Sequence, residues 1–254
     1  MQPRMWRLMA ALIVLGLSQL SFGASDPDQA PRDKKTMTVA ELEKAGDLCR
    51  THKDYPQAIQ YFHEAIAKDK KNATLYNKLG MAELKNNDPQ NARADFEKAS
   101  KLNKKYADAF NNVGAVYFIE NNYGQAAKYF KKAVALEETR ATFHVNLGAA
   151  WFSQKKVDRA VNEYSRALEL DPQALEQNSG AGITSQITSP EEQAKFYYVL
   201  AKIHAKRGDM QACLVCLKKA KENGYANLAN AYKDEEFSRL WNDPRLAEIV
   251  PAPK

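Results

Sequence analysis

The sequence predicts an all-α fold in which short helix hairpins repeat along the chain and stack into a solenoid. Three observations support this prediction. Four glycines recur at intervals of 34 residues, three further columns of residues recur in the same register, and glycine and proline are otherwise scarce. A single hairpin of this kind cannot bury its apolar face alone, so repeated hairpins are expected to stack on one another.

The repeat consists of one glycine column, two alanine columns and one aromatic column. Glycine inside a helix costs about 1 kcal/mol relative to alanine, so its recurrence needs a packing reason. We expect the small residues to lie where antiparallel helices approach most closely, and the aromatic residues to fill the space between successive hairpins. The columns are Gly46, Gly80, Gly114 and Gly148; Ala58, Ala92, Ala126 and Ala160; Phe62, Phe96, Phe130 and Tyr164; and Ala65, Ala99, Ala133 and Ala167.

This pattern resembles the tetratricopeptide repeat, over residues 39–227. The signature residues are Tyr76, Leu79, Gly80, Ala92, Phe96 and Ala99 in the second unit, and Leu147, Gly148, Trp151, Ala160, Tyr164, Ala167 and Pro172 in the fourth. The resemblance implies a right-handed α-solenoid of helix-turn-helix repeats with C-terminal capping helices. The four tandem units are expected at 39–72, 73–106, 107–140 and 141–174.

Polar residues at the turns predict where helices begin. One column, just before each second helix, is suited to N-capping and comprises Asp54, Asp88 and Asn122. Lys156 interrupts this column, so the second helix of the fourth unit is expected to begin near Asp158. Thr38 and Glu41 form a T-x-x-E capping box that predicts the start of the first helix.

The register breaks after the fourth unit and then resumes. Residues 175–193 are predicted to form an inserted loop, followed by a divergent fifth unit at 194–227. In that unit Ala201 takes the glycine position and Leu217 the aromatic position. Residues 228–254 are expected to form a helical cap and tail, since a solenoid needs a polar-faced terminus.

The N-terminus has the features of an export signal. Arg4 and Arg7 precede the apolar run Leu8–Leu17, and small residues follow. We expect a signal peptide at 1–23, a disordered tether at 24–36, and a periplasmic or secreted mature protein without stable membrane insertion. An uncleaved signal anchor is the alternative.

Composition and motifs argue against several classes of function. The net charge is +6, but Lys and Arg are mixed with Asp and Glu, which is typical of a solvated helical surface and predicts no nucleic-acid binding. The sequence has no H-E-x-x-H, G-x-S-x-G or glycine-rich phosphate loop. We therefore predict a protein that is not an enzyme, with no catalytic residues, cofactor or metal; its oligomeric state stays open.

The resemblance implies that the first helix of each unit lines a concave groove that binds extended peptides or partner helices. Asparagine amides there can pair with a peptide backbone whatever its side chains, and large apolar residues can act as anchors. The alternative is that the same asparagines and phenylalanines serve packing between helices. The predicted groove residues are Asn77, Lys78, Met81, Asn111, Asn112, Phe118, Asn146 and Phe152.

A carboxylate clamp of the co-chaperone type is not expected. The matching positions in the first three units hold Glu43, Asp47, Lys78, Asp108 and Asn112, which do not form a cationic fork. The motif C-x-x-C at Cys213 and Cys216 raises a separate hypothesis. Because it falls inside a predicted second helix, we expect buried core cysteines; a thiol redox site or metal site is the minor alternative.

These observations together predict a protein-interaction scaffold that binds a peptide or helix of a partner protein in its concave groove. The second hypothesis is a structural or assembly component that self-associates through its convex face or its cap. The fold alone does not choose between them, because such arrays serve many partners.

Overall fold

The computed structural model describes residues 33–177 and 189–251, and every regular element within them is helical. The predictions for the signal peptide and for most of the tether lie outside the described residues. The α-helices are α1 Val39–Thr51, α2 Tyr55–Lys68, α3 Ala73–Lys85, α4 Pro89–Leu102, α5 Ala107–Ile119, α6 Tyr123–Leu136, α7 Ala141–Ser153, α8 Val157–Leu170, α9 Ala174–Gln177, α10 Pro190–Lys206, α11 Met210–Glu222 and α12 Pro244–Ile249.

The helices form antiparallel hairpins that stack in chain order. Each odd-numbered helix from α1 to α7 pairs with the helix that follows it, and α10 pairs with α11. The second helix of each of the first three hairpins then contacts the first helix of the next, and α8 contacts α10. The predicted all-α, right-handed solenoid is therefore confirmed.

Each glycine of the repeat makes room for the aromatic ring of its own hairpin. A Cβ added to Gly46 would lie 2.6 Å from the Phe62 ring, and one added to Gly148 would lie 2.8 Å from the Tyr164 ring. The same ring also packs on the next hairpin, as Phe62 does on Leu79 and Ala82. The aromatic column thus joins successive hairpins as expected, and it also fills space inside each hairpin.

The fifth hairpin solves the same packing problem with a different pair of residues. Ala201 replaces the glycine and Leu217 replaces the ring, and both are fully buried. A leucine side chain leaves room for the alanine Cβ, which an aromatic ring at that position would not. The two substitutions compensate each other.

The turn inside each hairpin has one backbone geometry. A residue with positive φ ends the first helix, and the next residue donates its N–H to a carbonyl five residues earlier, as in a Schellman motif. The positive-φ residues are Lys53, Asn87, Asn121, Lys155 and Gly208.

The N-caps agree with the sequence except in the fourth hairpin. Asp54, Asp88 and Asn122 each accept a backbone N–H three residues later. The helix α8 begins at Val157, one residue before Asp158 and in register with the other second helices, so the expected shift of its start to a different residue does not occur. Lys156 is its N-cap without a side-chain hydrogen bond. The prediction was wrong because the Schellman turn fixes the length of the connection whether or not the next residue can cap.

The C-terminal part differs in detail from the expectation. Most of α9 and the first turn of α10 fall within the segment 175–193 that was predicted as an inserted loop, and residues 178–188 of that segment lie outside the described residues. The cap consists of two 3-10 helices, Leu228–Tyr232 and Glu235–Leu240, followed by α12. Ala231, Phe237 and Leu246 bury this segment against α10 and α11.

Replacement of Gly114 by alanine tests the contact between glycine and ring. We expect Gly114→Ala to lower the free energy of unfolding by about 1–3 kcal/mol, because its Cβ would lie 2.7 Å from the Phe130 ring. In a Phe130→Leu background the same substitution should cost much less. Urea unfolding of the four chains measures the coupling.

The control for this experiment is Gly124→Ala in α6, where an added Cβ meets nothing within 4 Å. That variant should be as stable as the parent or slightly more so, since alanine favours a helix. An equal cost of Gly114→Ala with phenylalanine or leucine at position 130 would contradict the packing argument.

A second test concerns the missing cap of α8. We expect Lys156→Asp to raise the free energy of unfolding by about 1 kcal/mol, since aspartate can accept the unpaired N–H groups of the first turn. Lys156→Glu makes the same change of charge but caps poorly. Thermal unfolding should show a clear gain in stability for Lys156→Asp only. Equal gains in stability for both variants would mean that the change of charge alone is responsible.

Candidate functional site

The predicted groove residues lie on α3, α5 and α7, the first helices of three consecutive hairpins. Because successive hairpins repeat one geometry, equivalent positions on these helices are neighbours across the concave face. The structure brings the four asparagines together, places Lys78 in an ion-pair cluster, and separates the apolar residues into exposed and buried ones.

The asparagine side chains form a continuous hydrogen-bonded ladder across the three helices. The Nδ2 of Asn146 donates to Oδ1 of Asn111 at 2.8 Å, and the Nδ2 of Asn112 donates to Oδ1 of Asn77 at 2.9 Å. Between these pairs, the Nδ2 of Asn111 lies 3.4 Å from Oδ1 of Asn112. The amide planes are therefore oriented by one another before any ligand binds.

Burial differs along the asparagine ladder. Its ends, Asn77 and Asn146, are 4% and 7% exposed, whereas Asn111 and Asn112 in the middle are half-buried. The end of the ladder at Asn77 is completed by a long contact of 3.8 Å to the sulfur of Met81. The middle of the asparagine ladder is thus the part that a ligand can reach.

Lys78 is bound by two carboxylates of the first hairpin. Its Nζ lies 2.6 Å from Oε1 of Glu43 and 2.5 Å from Oδ2 of Asp47. Burial lowers the pKa of Lys78, but the hydrogen bonds to these carboxylates outweigh burial and raise its pKa above the ordinary value. Lys78 therefore joins α1 to α3, and its charge is already compensated.

The predicted apolar anchors differ in exposure. Met81 is 37% exposed, whereas Phe118 is only 4% exposed and packs edge-on against Tyr123. Phe152 is half-buried and meets the ring of Phe196. Ile119, which the sequence analysis did not select, is 42% exposed.

The groove ends in a charged cluster at the cap. The Nζ of Lys202 lies 3.4 Å from carboxylate oxygens of both Asp234 and Glu236. Burial lowers the pKa of Lys202, but these carboxylates raise it above its ordinary value. Tyr198 donates a hydrogen bond of 2.8 Å to Asp234. A cavity of about 590 Å³ adjoins this cluster.

The two cysteines of the C-x-x-C motif lie inside α11. Cys213 is fully buried and Cys216 is 8% exposed. Burial raises the pKa of Cys213 to about 12 and raises the pKa of Cys216 as well. Both thiols therefore stay protonated at neutral pH, and residues 33–177 and 189–251 hold no cluster of three or more His, Cys, Asp or Glu that would suit a metal.

A buried pair of carboxyl groups lies between α3 and α4, and sequence reasoning missed it. Burial first, and then the carboxylate of Asp95, raise the pKa of Glu83, which is 5% exposed. Burial also raises the pKa of Asp95. In the next hairpin the equivalent positions hold Tyr117 and Tyr129, which stack on each other. A comparison of repeat columns would have revealed the exchange.

Family models of the tetratricopeptide repeat match residues 44–107, 77–139 and 120–174, and a further model of the repeat matches residues 194–223. The chain therefore belongs to the tetratricopeptide repeat family. Such repeats are scaffolds for protein–protein interaction and are generally not enzymes. No helix of the described part has the length and apolarity needed to cross a bilayer.

Solved structures with the same fold include MamA and YrrB. MamA from Desulfovibrio magneticus RS-1, from its residue 41 to the end, is 20% identical over 76% of this chain and 97% of that chain, with a TM-score of 0.54. YrrB, a tetratricopeptide protein with an unusual peptide-binding site, is 20% identical over 79% of this chain and 93% of that chain, with a TM-score of 0.52. A comparison with curated protein sequences found no match.

The carboxyl pair makes stability depend on pH. The folded chain holds a proton on the pair more tightly than the unfolded chain does, because the pKa of Glu83 is raised. We expect this contribution to be complete below the ordinary glutamate pKa of about 4.3 and to be lost as the pH rises towards the raised pKa. The free energy of unfolding, measured from pH 4 upwards, should therefore fall.

Glu83→Gln should flatten that pH dependence, because an amide fills the same space without titrating. The matched control is Glu97→Gln on the same hairpin, where the carboxylate is partly exposed beside Lys101. This control should keep the slope of the parent chain. An unchanged slope in Glu83→Gln would contradict the assignment.

Proposed function

We propose that the concave groove binds an extended peptide segment of a partner protein, and that the asparagine ladder pairs with its backbone. The asparagine ladder carries this proposal, since it holds four amides in a fixed order across three hairpins and leaves the middle two, Asn111 and Asn112, partly exposed. A preoriented set of donors and acceptors loses little conformational entropy when a ligand binds.

The asparagine ladder retains hydrogen-bonding capacity for a ligand. A side-chain amide has two N–H donors and an oxygen with two lone pairs, and the ladder uses one N–H of each donating amide. The remaining groups of Asn111 and Asn112 are partly accessible. These free donors and acceptors match the alternating N–H and C=O groups of an extended peptide. Such pairing does not depend on the side chains of the peptide.

Exposed apolar side chains beside the ladder add specificity. Met81 and Ile119 are exposed on neighbouring first helices, α3 and α5. They suit apolar side chains of a bound peptide, whereas Phe118 is buried against Tyr123. Phe152, packed on Phe196, extends the apolar surface towards the fifth hairpin.

The charges of the groove argue against recognition of a terminal carboxylate. Lys78, the cation nearest the asparagine ladder, already contacts Glu43 and Asp47. A ligand carboxylate would have to displace these partners. We therefore favour an internal, extended segment of the partner over its C-terminus.

We infer further that this interaction takes place in the cell envelope. The support is the basic start, apolar run and small-residue exit of residues 1–23, which lie outside the described residues. Binding in the groove and export are separate statements, and the experiments below test the groove alone.

Substitution of the ladder should weaken peptide binding without unfolding the array. We expect the double substitution Asn112→Ala and Asn146→Ala to lower the affinity for a captured partner peptide about 10- to 100-fold, which corresponds to the loss of one or two hydrogen bonds. Titration calorimetry measures the affinity. A peptide methylated at its backbone nitrogens should lose affinity to a similar degree, because it lacks the donors that the amides accept.

Two controls separate binding from folding. Asn91→Ala with Asn162→Ala removes two asparagines from second helices and should leave affinity unchanged. Met81→Lys changes an exposed side chain, so it should preserve the circular dichroism spectrum while lowering the affinity for the peptide. If both asparagine double variants bind equally well, the groove is not the site, and a concentration-dependent mass would then favour self-association through the convex face or cap.

A further inference from the structure

Some lysines of the described chain lie against carboxylates, and a group of exposed lysines does not. On first helices of the hairpins, Lys78 and Lys202 each lie against carboxylates. On the convex face of the second and third hairpins, exposed lysines stand without such partners. Other exposed lysines of the described chain also lack a carboxylate partner, but the lysines of this group lie close together on two consecutive hairpins.

The convex lysine patch is formed by the outer faces of α4 and α6 and by the loops that precede α3 and α5. Its members are exposed and have no ion pair among the residues that the structure describes. They are Lys70, Lys71, Lys98, Lys104, Lys105, Lys128 and Lys131.

The repeat itself builds part of the patch. Lys70 and Lys71 recur one period later as Lys104 and Lys105. In the first loop the backbone N–H of Lys71 donates to Oδ1 of Asp69 at 3.3 Å. In the second loop the N–H of Lys105 donates to Oδ1 of Asn103 at 2.9 Å. A side chain of the loop thus bonds the backbone of each loop in the same way, and the lysine side chains take no part in these bonds.

Nearby carboxylates do little to neutralise this patch. Glu97 lies 3.7 Å from Lys101, and Glu137 lies 3.0 Å from the Nε of Arg140, so each already has a partner. Asp69, in the loop of Lys70 and Lys71, accepts hydrogen bonds from the backbone of Lys71 and the side chain of Asn72. The other carboxylates of this side are Glu64 and Glu138, so the seven lysines outnumber the carboxylates that remain.

We propose that the convex lysine patch binds the anionic surface of a lipid bilayer and leaves the concave groove open to its peptide. The patch consists of lysines alone. An ammonium group is a compact, hydrated point charge, which suits diffuse attraction to many headgroups more than the bidentate recognition that arginine provides. Lysines spread over two hairpins can act on a broad anionic surface together.

Two further observations favour a bilayer over other occupants. Leu136, at the C-terminal end of α6, is 38% exposed and can enter the headgroup region beside the patch. A second copy of the chain would bring lysines against lysines if the same faces met, which is repulsive. The proposal is independent of peptide binding, since it uses the opposite face.

The test uses the full chain and vesicles of equal parts phosphatidylcholine and phosphatidylglycerol, with pure phosphatidylcholine vesicles as reference. We expect binding to the anionic vesicles that weakens with salt, because screening shortens the range of the attraction. Every variant keeps residues 1–32, so any contribution of that segment is common to the parent chain and to all variants.

Two triple variants with the same change of net charge locate the interaction. The patch variant carries Lys98→Gln, Lys104→Gln and Lys131→Gln, and the control carries Lys44→Gln, Lys85→Gln and Lys155→Gln. A lysine close to an anionic bilayer contributes about five-fold to partitioning, so the patch variant should bind about 100-fold more weakly. The control should stay within about three-fold of the parent chain, since its lysines lie outside the patch and act only through net charge.

Three outcomes would overturn the proposal. The first is an equal loss in both triple variants with unchanged circular dichroism, which would mean that net charge alone matters. The second is equal binding of the parent chain to both kinds of vesicle. The third is patch-dependent binding to a DNA duplex that exceeds vesicle binding at the same salt concentration.

Discussion

The contact between a glycine in the first helix and an aromatic ring in the second determines the geometry of each regular hairpin. The ring occupies the space of the missing Cβ and touches the next hairpin as well, so one side chain sets both the hairpin and the stacking. Because this contact repeats, equivalent residues of successive first helices become neighbours. The groove, the asparagine ladder and the loop lysines of the convex lysine patch follow from that repetition.

The partners of polar side chains in this solenoid differ with their burial. The ends of the asparagine ladder are buried and satisfied by other amides, whereas its middle reaches solvent. At the groove termini, Lys78 and Lys202 are held by carboxylates from the adjoining hairpin or the cap. Ion pairs thus join the first hairpin to the second and the fifth hairpin to the cap. Between them, the asparagine ladder is made of uncharged amides.

The register of the repeat was enough to predict the helices, most of the caps and the divergent fifth hairpin. It did not predict the asparagine ladder, because Asn111 bonds both to its chain neighbour Asn112 and to Asn146, a register that only the stacked helices reveal. It also missed Glu83, since a sequence pattern does not show that this carboxyl is buried beside another one. Likewise, the burial of Phe118 depends on Tyr123, which lies in the following helix.

The pair at Ala201 and Leu217 bears on how such an array can diverge over generations. A hairpin that gains a methyl group on its glycine while it keeps the ring suffers a clash, whereas a hairpin that loses the ring first has only a void to tolerate. The order of substitution therefore matters. A lineage can reach the alanine–leucine pair more readily through a glycine–leucine ancestor, and a hairpin that has made both changes cannot revert at one position alone without cost.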